Sequence, residues 1–241
     1  MSHSYSWVVF DVGSTLIDFT RPEPFRRFLQ DIQPGRRVTA AEGKALLDRW
    51  NAIFRRRRQD ARGLGAGSDD LTCFWRSIVA EVCAVLPEPD AAAAELWQRF
   101  NRGDLQQLRT DVRPTLAALR RRGMPMGIIS NFRTDLETYL TRLRIRSYFR
   151  FVICSSLAGV AKPDRGIFEL AIQKAGVPAA EMIYVGDDPS DDVAGSQDAG
   201  LTPVMIDRGG WYPDVQCLRI TDLRQLESVL VVGPTEGESS C

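Results

Sequence analysis

The sequence has very little histidine and lysine, and these two scarcities argue against several kinds of active site. Among 241 residues there is one histidine, His3, near the N-terminus, where chains tend to fray. A Ser-His-Asp triad, a Cys-His pair and a histidine-ligated zinc site are therefore disfavoured. The lysines are Lys44, Lys162 and Lys174, in a chain otherwise rich in arginine. Any catalysis must then rest on carboxylates, hydroxyls, amides, backbone groups and a lysine.

Long apolar runs and paired cysteines are also missing. No stretch approaches the ~20 apolar residues that a membrane span needs, and Met1–Phe10 lacks the basic region of a signal peptide. The five cysteines form no CxxC pair, so we expect reduced thiols. The formal net charge of zero gives no reason to expect nucleic acid or a membrane as a partner. These features together favour a cytoplasmic protein.

Five short apolar runs predict the strands of a parallel sheet that is covered on both faces. These runs are Trp7–Phe10, Met126–Ser130, Phe151–Ser155, Met182–Gly186 and Pro203–Ile206. Helical patterns lie between the last four: Thr134–Leu143, a segment from Pro163 to Gly176, and Pro189–Ala199. The alternation of strands and helices predicts a doubly wound α/β fold.

More than a hundred residues separate the first predicted strand from the second, too many for one crossover connection. Most of that stretch has helical patterns, at Pro24–Ile32, Ala40–Arg58, Leu71–Leu86 and Ala91–Arg99. We interpret it as a helical insertion over the sheet, after which a helix at Pro114–Arg122 returns the chain to the core. The predicted domains are an α/β catalytic core at residues 1–19 and 110–232, a helical cap at 20–109, and a disordered tail at 233–241.

Polar side chains follow the carboxyl ends of the predicted strands, where α/β sheets place their active sites. They are Asp11 after the first strand, Ser130 and Asn131 after the second, Lys162 in the loop after the third, and Asp187, Asp188, Asp191 and Asp192 after the fourth. Clustered carboxylates repel each other unless a cation lies among them, and hard oxygen ligands select Mg²⁺. A lysine and a hydroxyl can neutralise phosphate charge, and a free aspartate can attack phosphorus. The pattern therefore predicts Mg²⁺-dependent chemistry on a small phosphorylated substrate.

Four segments, in this order, resemble the motifs of the haloacid dehalogenase-like superfamily. They are Phe-Asp-Val-Gly-Ser-Thr-Leu at 10–16, Ile-Ile-Ser-Asn at 128–131, Lys162, and Gly-Asp-Asp-Pro-Ser-Asp-Asp at 186–192. The resemblance runs from about Trp7 to Asp207 and implies a Rossmann-like core with an α-helical cap inserted after the first motif. It also implies a hydrolase in which the side chains have defined roles. These would be Asp11 as nucleophile, Ser130 and Asn131 as phosphate-binding groups, Lys162 as counter-charge, and Asp11, the Gly13 carbonyl and Asp187 as Mg²⁺ ligands, supported by Asp188 or Asp192.

Gly13 departs from the pattern of the phosphatases in this superfamily, which usually have a second aspartate two residues after the nucleophile. That aspartate protonates the leaving group and then activates water, and its loss is expected to cost about 10²–10⁴ in rate. Acyl and aryl phosphates would be affected least, and Asp18 or a water could compensate in part. Two alternatives stay open: a metal-free dehalogenase that uses Asp11, and a non-catalytic binding protein with the same fold.

Two further groups of residues are interpreted as structural. The run Arg55–Arg58 is typical of a solvated helix face, with the alternative that one arginine reaches the cleft to hold an anionic substrate. Trp75, Trp97 and Trp211 are predicted to be core residues.

Overall fold

The computed structural model describes residues 5–61, 64–66 and 68–232. His3 and the predicted tail at 233–241 lie outside these ranges. The strands are β1 (Trp7–Phe10), β2 (Ile17–Asp18), β3 (Gln107–Leu108), β4 (Met126–Ser130), β5 (Phe151–Cys154), β6 (Met182–Gly186), β7 (Thr202–Ile206) and β8 (Leu218–Ile220). The α-helices are α1 (Pro22–Ile32), α2 (Ala40–Arg57), α3 (Ser68–Cys83), α4 (Pro89–Arg102), α5 (Val112–Arg121), α6 (Leu136–Arg142), α7 (Ser155–Ala158), α8 (Arg165–Ala175), α9 (Gly195–Asp198) and α10 (Leu226–Val232). No helix in the described ranges is both long enough and apolar enough to cross a membrane.

Six strands form one parallel sheet in the order β5-β4-β1-β6-β7-β8. All five predicted strands are present, and the predicted doubly wound, Rossmann-like α/β fold is confirmed. Because β1 lies at the centre, with β4 and β6 on either side, the carboxyl ends of these three strands open at the same edge. The chain thereby brings together polar residues that are more than a hundred positions apart.

Side chains on β1 alternate between the two faces of the sheet, as strand geometry requires. Val8 and Phe10 are fully buried in the cluster that contains α5, α6 and α10. Val9 is buried in the cluster on the other face, beneath α8. The sheet is therefore covered on both faces, which explains why its strands are continuous apolar runs in the sequence.

The helices α1 to α4 pack around a separate hydrophobic cluster. Its largest fully buried side chain is Trp50, whose ring lies 4.6 Å from that of Phe19 and 5.8 Å from that of Phe100, measured between ring centroids. A capping box fixes the start of α2: the Thr39 side chain accepts from the Glu42 amide, and the Glu42 side chain accepts from the Thr39 amide. The antiparallel pair β2-β3 lies where the chain leaves the sheet for these helices and where it returns.

Two details differ from the sequence-based predictions. The helix expected to begin with Pro163 begins instead at Arg165, because the Asp164 side chain caps it by accepting from the Gly166 amide. The segment predicted as a helix from Pro189 to Ala199 starts as a π-helical turn, Pro189–Ala194, and continues into α9.

Replacing Trp50 with alanine should lower the free energy of unfolding by about 3–5 kcal/mol, because the substitution leaves a large cavity among α1 to α4. Trp211→Ala is the matched control, since 57% of the Trp211 side chain is exposed; it should change stability by less than about 0.5 kcal/mol. Urea unfolding measures the free energy of unfolding of both variants. Equal losses from the two substitutions would contradict the position of Trp50 in the core formed by α1 to α4.

Candidate functional site

The centre of the site is the ammonium group of Lys162, which is buried with 3% of the residue exposed. Its Nζ lies 2.8 Å from Oδ1 of Asp11 and also contacts Oδ1 of Asp192. Burial disfavours the ammonium form, but the two carboxylates outweigh that effect and hold the pKa of Lys162 well above its usual value. The lysine is therefore a fixed positive charge beside Asp11.

Asp11 follows β1 and is itself 5% exposed. Besides the lysine, its Oδ1 accepts a hydrogen bond of 3.0 Å from the Ser130 hydroxyl at the end of β4. The structure thus brings together Asp11, Ser130 and Lys162, which belong to three different motifs.

Asn131 holds the loop that carries Lys162. Its Nδ2 donates to the Lys162 carbonyl at 3.0 Å, and its Oδ1 accepts from the Lys162 amide at 2.9 Å. Since both ends of the side-chain amide bind the same peptide backbone, Asn131 positions Lys162, while it also lines the cavity next to Asp11.

Asp192 has both carboxylate oxygens occupied. Oδ2 accepts from the amides of Asp187 and Asp188, each at 2.9 Å, and Oδ1 accepts from Lys162 and from the Tyr184 hydroxyl at 3.1 Å. The Tyr184 hydroxyl, buried in β6, also accepts from Lys162 at 3.0 Å and lies 3.1 Å from the Ile129 carbonyl. The sequence analysis missed Tyr184; the only signal was that it is the one hydroxyl in an apolar strand.

Asp188 caps the π-helical turn that follows β6. Its Oδ1 accepts from the amides of Ser190 and Asp191 at the start of the π-helical turn. Its Oδ2 accepts from Arg58 at 3.0 Å. Burial raises the pKa of Asp188, but Arg58 and the backbone amides outweigh it and hold that pKa below its usual value.

Arg58, immediately after α2, reaches the aspartates at the strand ends. Its guanidinium lies 2.6 Å from Asp187 and 3.0 Å from Asp188, and 16% of its side chain is exposed. The prediction that the whole arginine run forms a solvated helix face is therefore wrong for this residue. It is right for Arg56, which pairs with Glu81 and is 64% exposed. The arginine that reaches the cleft contacts carboxylates of the protein.

The pKa values of Asp187 and Asp191 are raised above the usual value of an aspartate. Burial, with the neighbouring aspartates, raises the pKa of Asp187 to about 7 in spite of Arg58. Burial also raises the pKa of Asp191 to about 7, although Lys162 opposes the shift. Oδ1 of Asp191 is buried without a hydrogen-bond partner, and the residue lines the cavity. Asp191, which the sequence analysis did not include among the metal ligands, is thus a candidate for the site.

A divalent cation fits this cluster. Oxygens of Asp11, Asp187 and Asp192 lie within 4.8 Å of one another. Five aspartates surround this point, and among the described residues the cations paired with them are Lys162 and Arg58, which leaves a formal excess of three negative charges. Burial is the main cause of the raised pKa values of Asp187 and Asp191, and the neighbouring aspartates add to it. Asp11 and Asp187 could hold the ion, whereas the oxygens of Asp192 are already engaged by four donors.

Gly13 lies beside Asp11 and leaves open space. A Cβ built there would lie 4.0 Å from Oδ2 of Asp11, and no other atom of the described residues, apart from the two chain neighbours of Gly13, lies within that distance. Asp18 does not replace the missing carboxylate, because its Oδ1 accepts from the Phe19 amide and its Oδ2 contacts Arg109.

A cavity of about 140 Å³ extends from Asp11 and Lys162 into the helices. Trp75 lines it, so this tryptophan is partly a cavity wall. Trp97 is half-buried and packs against the cluster of α1 to α4. The prediction of a core position is wrong for Trp211, which is mostly exposed and lies beneath the guanidinium of Arg55.

Comparisons with known proteins identify the family of this chain. The haloacid dehalogenase-like hydrolase family model matches residues 5–200. Haloacid dehalogenase-like hydrolase domain-containing protein 3 of Mus musculus is 33% identical over 138 residues, 55% of either chain. The phosphoserine phosphatase of Thermus thermophilus is 36% identical over 115 residues, 46% of either chain. The chain thus spans about half the length of these two relatives.

Among solved structures, the 2-haloacid dehalogenase from Pseudomonas syringae is 27% identical. The match covers 95% of this chain and 99% of that one, with a TM-score of 0.60. The resemblance is confirmed: the chain belongs to the haloacid dehalogenase-like hydrolase family.

Proposed function

We propose that this hydrolase is a Mg²⁺-dependent phosphatase that acts on a small phosphorylated molecule through an aspartyl-phosphate on Asp11. The observation that carries the proposal is the excess of carboxylates around Asp11, which a divalent cation would offset, while Lys162 provides a positive charge for the phosphoryl oxygens. The phosphatase among its relatives supports the same chemistry.

In the proposed reaction, a carboxylate oxygen of Asp11 attacks phosphorus and the bond to the leaving oxygen breaks. Lys162 and the Ser130 hydroxyl, both within hydrogen-bond distance of Asp11, stabilise the charge on the phosphoryl oxygens. Mg²⁺ bound by Asp11, the Gly13 carbonyl and Asp187 would supply further charge stabilisation. Water then attacks phosphorus and releases Asp11. Asp188 and Asp192 support the ion through the loop that they fix.

We further propose that residues 1–19 and 110–232 form the catalytic core and that residues 20–109 form a cap over it. The cavity supports this division, since its walls come from the strand ends on one side and from α2, α3 and α4 on the other. A cap in this position would exclude water from the aspartyl-phosphate.

A dehalogenase is the second candidate, because the solved relative from Pseudomonas syringae carries that name. The charge excess argues against it, since a metal-free site would have to tolerate the repulsion among the aspartates. Assays of an aryl phosphate and a 2-haloacid, each with and without Mg²⁺, separate the candidates. Metal-dependent release of phosphate supports the proposal, and metal-independent release of halide would replace it. Turnover of neither substrate, with intact Mg²⁺ binding, would favour a non-catalytic binding protein.

Asp11→Asn should lower phosphatase turnover by roughly 10³-fold or more, because an amide cannot attack phosphorus. Asp31→Asn is the control, since Asp31 is exposed and pairs with Arg99 at the surface. Circular dichroism should show the same fold for both variants. An Asp11→Asn protein that keeps most of its activity would rule out the nucleophile assignment.

Arg58→Ala should tighten Mg²⁺ binding by about tenfold, ~1.4 kcal/mol, because the guanidinium must leave Asp187 before a cation can take its place. Arg56→Ala removes a neighbouring arginine that contacts Glu81 instead, and it should leave the affinity unchanged. Calorimetric titration of the wild type, Arg58→Ala and Arg56→Ala with Mg²⁺ measures the affinity of each protein. Unchanged or weaker affinity in Arg58→Ala would mean that Arg58 does not compete with the metal.

Gly13→Asp should increase turnover of alkyl phosphates, whose leaving groups need a proton, and change aryl phosphates little. The space next to Asp11 accepts the side chain, but the gain should stay below the full 10²–10⁴ of a positioned acid, because no neighbours orient it. Gly13→Asn has the same size without an acidic proton and is the control. Equal gains in both variants would contradict the claim that the missing carboxyl group at position 13 limits proton transfer. Alkyl phosphatase activity of the wild type at ordinary enzymatic rates would contradict it as well.

A further inference from the structure

The cavity beside Asp11 ends in a wall of aromatic rings, which we name the aromatic chamber: Phe19, Phe54, Phe74, Trp75 and Phe100. Trp75 is its centre. Its ring stacks on Phe54 at 5.2 Å and lies 5.0 Å from Phe100 and 5.3 Å from Phe74, measured between centroids. Because the same cavity is lined by Asp11 and Lys162, a substrate whose phosphorus lies at Asp11 would place its leaving group against these rings.

The size of the cavity limits that leaving group. Its volume is about 140 Å³, and an engineered apolar cavity of about 150 Å³ holds one benzene molecule. The cavity is therefore of about the size of one ring, and two fused rings would exceed it.

The charges around the cavity disfavour a leaving group with a second anionic group. Two arginines are among the described residues that line it, Arg58 and Arg133. Arg58 is paired with Asp188 as well as with Asp187, so it keeps one partner when a cation takes Asp187. Arg133 is paired with Asp135 and hydrogen-bonded to the Asn101 carbonyl. A carboxylate or second phosphate in the chamber would have to take one of these guanidinium groups from its partner.

Gly13 adds an independent constraint. With no carboxyl group at that position, and with both oxygens of Asp18 engaged, neither of these two positions offers a free carboxyl group to protonate the leaving oxygen. A leaving group that departs as a stable anion meets this constraint.

We propose that the substrate is an aryl phosphate monoester with a single uncharged ring, and that the aromatic chamber binds this ring. The inference rests on the proposed phosphatase function. In the reaction, an Asp11 oxygen bonds to phosphorus while the bond from phosphorus to the aryl oxygen breaks, and the aryloxide leaves with the electron pair. Water then attacks phosphorus, which yields inorganic phosphate and free Asp11, and the aryloxide takes its proton from solvent.

Two substrates separate binding of a ring in the chamber from the ease with which the leaving group departs. Phenyl phosphate has a ring, whereas acetyl phosphate has a good leaving group and no ring. Trp75→Leu should lower kcat/KM for phenyl phosphate by roughly 10- to 100-fold, the range for lost apolar pocket contacts, and change kcat/KM for acetyl phosphate by less than about twofold. Trp97→Leu is the matched control: the same substitution among the same helices, at a residue outside the cavity lining. It should leave both substrates unchanged.

A binding measurement avoids the chemical step. Phenylphosphonate should inhibit acetyl phosphate turnover at least about tenfold more strongly than methylphosphonate in the wild type, and this preference should disappear in Trp75→Leu. Thermal melting of both leucine variants checks that they are folded, and Phe54→Leu replaces Trp75→Leu if the latter is not.

The outcomes are distinct. Turnover of acetyl phosphate without a preference for phenyl ligands, or equal effects of Trp75→Leu on both substrates, would overturn the aryl assignment while leaving the phosphatase function intact. Preferred turnover of 1-naphthyl phosphate or phosphoserine would overturn it as well. No Mg²⁺-dependent turnover of any of these phosphates would count against the phosphatase itself.

Discussion

The ammonium group of Lys162 lies between the carboxylates of Asp11 and Asp192, and the rest of the site depends on this buried contact. It joins the segments that follow β1, β5 and β6, three strands of the same sheet. A lysine buried to this degree is unstable unless it is paired, and each carboxylate needs the lysine for the same reason. The fold therefore fixes the charge beside Asp11 in advance, as electrostatic stabilisation of a transition state requires.

The two cations of the cluster come from different parts of the chain, and their contacts with the aspartates connect the helices to the sheet. Lys162 comes from the α/β part and is held by Asn131, whereas Arg58 comes from the segment after α2. In the proposed function, the guanidinium and the metal compete for the oxygens of Asp187. Metal binding would then release one contact between the helices and the strand ends, so that metal affinity and the position of the helices are linked.

Much of the fold and of the central cluster could be predicted from the sequence, because buried strands are continuous apolar runs and their ends carry polar residues. The missed β8 is a three-residue edge strand with an exposed arginine, too short for a periodic signal. Arg58 could not be distinguished from its three neighbours, since only the helix end decides which one turns towards the cleft. Spacing alone also could not show that Asp188 caps a helix while Asp191 leaves an oxygen unpartnered, because side-chain direction decides both.

The central claim, that Asp11 forms a covalent bond to phosphorus, is tested most directly by acid-quenching the enzyme during turnover of phenyl phosphate with Mg²⁺ and measuring its mass. Since Gly13 offers no base to activate water, hydrolysis of the aspartyl-phosphate should be slow and the intermediate should accumulate. The account predicts a mass increase of one phosphoryl group on the peptide that contains Asp11, absent in Asp11→Asn. Sustained phosphate release with no adduct on that peptide at any quench time would contradict it.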